Sequence, residues 1–251
     1  IPLVNDGYEL GQQVCLMICK QMGMFLFNNP YLDTMTAADL FLQSTSNSEF
    51  KDKLSRIVSG DLFVGVIGLD KNLINETSIQ SNGVWTINGT SHFVSNIDQL
   101  DSLLIILDDF VFEIPTNTSG IIVESQKDIA NSNLSKVSFQ QLELSLVDRI
   151  NTIPLNLNFI KSRARLRQAS YLLGLTKGAL SEAVSYVNTR RQFGNKLISY
   201  QSVAFKLASL LAQIEAAEIK IQQTAWKQED GQCTLQSATE SLAYIAEISL
   251  L

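Results

Sequence analysis

Gly174-Leu175-Thr176-Lys177-Gly178-Ala179-Leu180, followed by Tyr186, by Arg190-Arg191-Gln192-Phe193-Gly194 and by Tyr200-Gln201, is the stretch of this 251-residue chain on which its fold turns. Around it, Leu172, Leu175, Ala179, Ala183 and Val187 recur at spacings of three and four, the stripe of an amphipathic helix. Phe193-Gly194 is expected to end that helix, with the glycine as a left-handed cap. Beyond it, Val203, Leu207, Leu210, Ile214, Ala217 and Ile221 form a second stripe. Two long helices joined by a short loop should pack antiparallel. A third helix is predicted to start near Thr234, after the Asp230-Gly231 turn, and to run to the chain end. Apolar residues on more than one side of the second helix (Leu210 with Leu211, Ile219 with Ile221) suit burial against a second partner.

Upstream the pattern changes twice. Residues 9–59 read as helices. The apolar positions Val14, Met17, Ile18, Met22 and Phe25 mark one, broken by Asn28-Asn29-Pro30. Thr36 is expected to cap a second, through Ala37, Leu40, Phe41 and Leu42, and Glu49 to Ser59 forms a third, stopped by Gly60. Residues 62–147 read as strands: Leu62–Leu69, Val84–Ile87, Ser91–Val94, Leu103–Leu107, Phe110–Ile114, Gly120–Glu124 and Val137–Leu144. Asn88-Gly89 and Asp108-Asp109 are the expected hairpin turns.

Composition narrows the function classes. Hydrophobic residues make up 45% and charged residues 18%, and the formal net charge is −6. A sequence pI of about 4.9 argues against a nucleic-acid surface, which needs clustered Lys and Arg. The one dense basic stretch, Lys161, Arg163, Arg165 and Arg167, reads as a solvated or phosphate-facing helix start. Cys15 and Cys19, four apart on a helix, read as buried thiols rather than a disulfide framework. With His92 as the single histidine, a zinc or haem site and His-based nucleophilic catalysis are not expected, and no metal ligand is assigned. No signal-peptide pattern and no apolar run long enough to span a bilayer is read, so the expected location is cytoplasmic.

The quoted stretch resembles the signature of acyl-CoA dehydrogenases: a helix of small residues, a Tyr, R-x-x-F-G, then a Gln at the start of the next helix. Ile1-Pro2 through Gly11, Pro30-Tyr31, Ser59-Gly60 and Asn88-Gly89 fall in the family's order more loosely. The resemblance implies an α+β class, acyl-CoA dehydrogenase-like: an N-terminal helical domain over 1–60, a middle antiparallel β domain over 61–150 and a C-terminal helical bundle over 151–251. It implies an FAD flavoprotein of fatty acid metabolism that turns an acyl-CoA or acyl-carrier-protein thioester into its α,β-unsaturated form. By that resemblance Arg190 reaches the FAD diphosphate across a subunit interface, Phe193 packs near the adenine, and Gln201 lies by the adenosine half. His92-Phe93-Val94-Ser95-Asn96 aligns with the family's W-I-T-N, so Phe93 would cover the flavin ring and the Ser95 hydroxyl would sit near N5. Read from the residues alone, Arg190 is equally an exposed helix-end cation, Phe193 a helix-end core aromatic, and Gln201 a first-turn polar group. Phe93 in and His92 out is then plain strand alternation. The family implies a homodimer or homotetramer, or a heteromeric dehydrogenase partner.

Three departures stand out. The family's T-E-P-x-A-G-S-D loop is absent after the first strand, where the chain reads Gly68-Leu69-Asp70-Lys71-Asn72-Leu73. No catalytic base is assigned: where some relatives carry a glutamate, one residue before the arginine matched by Arg165, this chain has Ala164. The closing Q-x-x-G-G motif is not reached. Two expectations follow, an incomplete copy of a longer protein or a catalytically degenerate partner subunit. A flavin monooxygenase of the same fold, which needs no α-proton base, is a third.

Overall fold

In a computed structural model the described residues are 1–2, 6–8, 10–44, 48–70, 74–81, 83–107, 109–129, 132–151 and 153–251. Contacts divide the chain into two compact units: Ile1–Glu9 with Asn29–Ile160, and Leu10–Asn28 with Lys161–Leu251. Each has its own core.

The first unit holds two helices, α2 (Tyr31–Gln43) and α3 (Ser48–Ser59), and two sheets. Strands β1 (Val64–Ile67), β4 (Ser102–Leu107) and β5 (Phe110–Pro115) form one, in the order β1-β4-β5. Strands β2 (Ile74–Ser81), β3 (Val84–Ser95), β6 (Ile121–Gln126) and β7 (Leu134–Ser145) form the other, in the order β2-β3-β7-β6. Every pairing in these sheets is antiparallel except β1 with β4, which run parallel with Val64 opposite Ser102. The run Leu103-Leu104-Ile105-Ile106-Leu107 explains the layering. Leu103, Ile105 and Leu107 enter a core with Trp85, Ile87, Val137, Phe139, Leu142 and Leu144 of the larger sheet. Leu104 and Ile106 point the other way, into a core with Ala37, Leu40 and Phe41 of α2 and Leu54 of α3. A strand buried on both faces reads as an unbroken apolar run, and the small sheet is accordingly the middle layer.

Two turn expectations change here. Asn88-Gly89 is not a hairpin turn: β3 runs straight through it, with Asn88 opposite Thr77 and Gly89 opposite Glu76. Asn88 Oδ1 instead accepts from the backbone N and Nε2 of Gln141, at 2.9 and 3.0 Å, and fastens a bulge between Ile87 and Gly89. The turn lies earlier, where Ser81 faces Val84 and Gly83 takes φ +80. The second hairpin holds, with Leu107 facing Phe110; Asp108 lies outside the described residues. Thr36 does not cap α2. It sits inside the helix and donates from Oγ1 to Leu32 O, while Asn29 Oδ1 receives the Tyr31 amide at the helix start. Gly60, at φ +82, does stop α3.

The second unit is helical: α1 (Gln12–Met24), α4 (Leu157–Thr189, whose first turn belongs to the other unit), α5 (Gln201–Glu229) and α6 (Leu235–Ile248). Its core gathers Leu16, Leu166, Ala169, Leu173, Ile214, Ala217, Ile221, Ala225, Ala238 and Ile245. Thr234 caps α6 in a reciprocal box with Ser237.

The buried face of α1 differs from the expected one. Cys15, Leu16, Cys19 and Gly23 turn inward, and Met17, Ile18 and Phe25 are exposed. The cause is the closeness of α4. A Cβ on Gly23 would lie 1.9 Å from Tyr171 O, and one on Gly174 would lie 1.9 Å from Lys20 O. Backbones this near admit only the small side of each helix, so the bulkier side faces out. The same contact shifts the first half of the α4 stripe: Leu166, Ala169 and Leu173 enter the core and Ala179 is exposed, while Val187 is buried as expected. Cys15 and Cys19 are buried free thiols, as expected. A hydrogen bond with Cys15, then burial, push the Cys19 thiol far up, against the opposing charge of Arg167. The basic stretch is not a solvated helix start, because Arg167 is fully enclosed and Arg165 Nη1 donates to Thr239 Oγ1.

A partly buried ion network ties three of these helices together. Glu218 of α5 accepts from Lys20 of α1 at 2.7 Å and from Lys177 of α4, which also reaches Glu215 at 3.0 Å. Burial acts to raise the Glu218 carboxyl, but the two lysines outweigh it and hold it below its ordinary range. Burial likewise acts to lower Lys177, and its two glutamates outweigh that and raise it. Among the described residues, no helix is long and apolar enough to cross a membrane, and no group of three or more His, Cys, Asp or Glu is placed to hold a metal ion.

Candidate functional site

The five residues singled out in the sequence fall into two groups, one in each unit. In the helical unit, α4 ends at Thr189 and the chain makes a hairpin of two short strands, β8 (Arg191–Gln192) and β9 (Asn195–Lys196). Phe193 (φ 48) and Gly194 (φ 82) are its two central residues. They therefore form the turn of a two-residue hairpin, where both positions need positive φ, and not a helix cap. Tyr200 braces the hairpin by donating its hydroxyl to Gln192 O at 2.8 Å, and the Arg190 carbonyl receives the Leu197 amide at 3.0 Å. Arg190 stands at the base of the hairpin, Phe193 at its tip, and Gln201 opens α5 directly after Tyr200. All three side chains are exposed. Phe193, at 92% exposure, is no core aromatic. A fixed turn thus presents a planar cationic fork and an aromatic face outward, a pairing suited to a phosphate and a ring.

In the β unit, Phe93 and Ser95 lie near the end of β3. The register slips between Ser91/Val137 and Val94/Ser135, so β3 carries a bulge there. Phe93 takes φ 60 and is 66% exposed, and His92 beside it is exposed as well. Simple alternation, with Phe93 inward, does not hold, because the bulge rotates Phe93 out of the pleat. Ser95 is half-buried and in register with Leu134. Local sequence reading missed the residues that hold this segment: Gln126, the last of β6, at the bulge, and Asn133, just before β7, at Asn96 beyond it. No local signal marks them, since they lie 33 and 37 positions away from their partners.

Ala164, at the position where some relatives have a glutamate, is a buried core residue of α4. The link from β1 to β2 covers only Gly68 to Leu73, with Gly68 at φ 86; residues 71–73 lie outside the described residues.

Two helices packed on a small layered β unit, and a helical unit carrying a two-residue hairpin, define the acyl-CoA dehydrogenase fold. The structure of a Tcur3481-Tcur3483 steroid ACAD variant matches it with a TM-score of 0.86 at 23% identity, covering 100% of this chain and 70% of that one. The FAD complex of PigA matches with a TM-score of 0.81 at 21% identity, covering 100% and 72%. Residues 161–246 match the family described as acyl-CoA dehydrogenase, C-terminal domain. The short-chain-specific acyl-CoA dehydrogenase of Megasphaera elsdenii is 26% identical over 166 residues, 59% of this chain and 43% of that protein. Residues 161–246 thus belong with the C-terminal domain of acyl-CoA dehydrogenases, and the chain as a whole has the fold of that family. It spans less than half the length of the first curated relatives it matches, between 22% and 44%.

Proposed function

We propose that this chain forms part of an FAD-dependent oxidoreductase acting on an acyl thioester of CoA or of a carrier protein. The observation that carries it is the hairpin. Arg190, Phe193 and Gln201 stand exposed on a braced turn, within the segment that matches the family's C-terminal domain. The residues fit an extended dinucleotide. Arg190 would pair two diphosphate oxygens at fixed geometry, and the Phe193 ring would lie against a base. In the other unit, Phe93 would offer a ring face and Ser95 a hydroxyl to an isoalloxazine ring. The FAD complex of PigA, a neighbour of the same fold, supports this cofactor. When bound, FAD supplies the acceptor for a hydride from the acyl chain. The outward direction of Arg190 and Phe193 suits FAD held by a second subunit, so a homodimer, a homotetramer or a heteromeric pair belongs to the proposal.

This chain's described residues put no carboxylate at the Ala164 position, where the methyl is buried in the α4 core. That observation favours a second reading, a partner subunit that completes another chain's flavin site without catalysing the step itself. The visible spectrum of the purified full-length protein decides between them. A flavin band near one FAD per chain, with thioester oxidation, supports the enzyme. A colourless protein that raises the flavin content of a co-expressed subunit supports the partner. A protein that never takes up FAD, alone or with a partner, refutes both.

A further inference from the structure

The bulge that carries Phe93 is shaped by residues distant in sequence. Between the pairs Ser91/Val137 and Val94/Ser135, β3 has two residues where β7 has one. A bulge of this kind interrupts the ladder, and the Phe93 amide donates instead to Gln126 Oε1 at 3.0 Å. Gln126 is the last residue of β6, and its register partner on β7 is Leu134, which on its other side is in register with Ser95. Its side chain therefore reaches across β7 to the bulge. Just beyond Ser95, Asn96 (φ 52) donates its amide to the carbonyl of Asn133 (φ 54) at 2.9 Å. Asn133 Nδ2 donates back to Asn96 Oδ1 at 3.3 Å and to Asp98 Oδ1 at 2.6 Å. Phe93, Asn96 and Asn133 are thus three side-chain-bearing residues in left-handed backbone around one short segment. Such backbone persists only where its surroundings over-determine it, and it gathers where a side chain must be aimed.

We propose that Gln126 is a positioning residue for the flavin site: its amide oxygen holds the Phe93 backbone in the left-handed turn that presents the ring outward and sets Ser95 two residues on. Asn133 locks the far end of the same segment. This rests on the flavin reading of Phe93 and Ser95 given above. Gln126 itself touches no cofactor; it acts through the Phe93 amide.

The test uses the full-length protein purified with FAD. Gln126→Ala is expected to weaken FAD binding roughly fivefold, the loss of one aligned hydrogen bond, and to change the shape of the bound flavin's visible band. Gln126→Glu keeps an acceptor oxygen at the same reach and is expected to retain both. Thermal midpoints of the two variants should agree within about 2 °C, which separates aiming from folding. If Gln126→Ala does not fold, Gln126→Met, which keeps length without the acceptor, reads the same contrast. An unchanged affinity and band in the variant lacking the acceptor overturns the positioning role and leaves the FAD reading standing. A wild-type protein that takes up no FAD, alone or with a co-expressed partner subunit, overturns both.

Discussion

Replacing Gly174 by alanine tests the contact that organises the helical unit. In most helices this change stabilises by about 1 kcal/mol, because glycine loses more backbone freedom on folding. Here the added methyl would lie 1.9 Å from Lys20 O and 2.8 Å from Met24 N. Both are backbone atoms of α1, so no rotamer change relieves the clash. Restoring ordinary separation moves α1 from α4 by about 1.5 Å. That shift would loosen the contact of Leu16 with Leu166 and Leu173, and the 2.6 Å bond from Ser170 Oγ to Leu16 O. Overpacking of this kind costs about 1–3 kcal/mol, more where backbone must move, and the lost hydrogen bond and dispersion add to it. Set against the propensity gain, the expected net loss is about 2–3 kcal/mol, a fall in Tm of about 5–10 °C for a chain of this size. Ala179→Gly, on the exposed side of the same helix, measures the propensity effect alone. The assay is denaturant unfolding of wild type and both variants followed by circular dichroism. A Gly174→Ala protein as stable as wild type, or more stable, would refute the close-contact account.

Glu218→Gln should destabilise the helical unit by about 1–2 kcal/mol at neutral pH, after allowance for partial exposure. Because the Glu218 carboxyl is held low, the stability it adds is present above its ordinary value of 4.5 and is lost as pH falls through its folded value. Because Lys177 is held high, its share is present below 10.5 and is lost as pH rises past its folded value. Equal stability of the wild type and the Glu218→Gln variant at pH 7, or a difference that grows as the solution is acidified, would count against the network. Phe193→Ala should leave Tm unchanged within about 1 °C, since the ring is exposed, yet weaken FAD retention. Gly194→Ala should instead lower Tm, because alanine at φ 82 costs about 1 kcal/mol in the turn; the reverse order in thermal melts would contradict the hairpin assignment.

How far the sequence could be read depended on whether the deciding contact was local. The stop at Gly60, the helix start near Thr234 and the run Leu103 to Leu107 are each marked by neighbours in the chain, and each is found where the pattern places it. From Arg165 to Gly231 the order helix, short connection, helix was legible because it depends on residues near in sequence, but the buried face of α4, set by contact with α1, was not. Asn88-Gly89 misled because its asparagine is used by Gln141, far along the chain, to fasten a bulge. Strand β2 was missed: Ile74 to Ser81 is mostly polar and is held at the sheet edge by pairing with β3. The buried face of α1 is not the one that apolar size predicts, because Gly23 against Tyr171 and Gly174 against Lys20 make smallness decisive. In the candidate site, the identities of Phe93 and Ser95 were readable, but the bulge that turns Phe93 outward was not, because Gln126 makes it from another strand.

The path of the chain through its two units limits what can be cut from it. The polypeptide passes from one unit to the other at 9/10, at 28/29 and at 160/161, so neither unit is a single continuous stretch. A fragment beginning at residue 161 would keep the segment that matches the family's C-terminal domain and lose α1. It would bare the groove at Gly174 and Gly178, uncover Leu166 and Leu173, and leave Glu218 without Lys20. Fragment complementation with residues 10–28, rather than simple excision, is the form in which this helical unit can be taken apart and put back. A stability measured on residues 161–251 alone is the stability of a different, incompletely packed object.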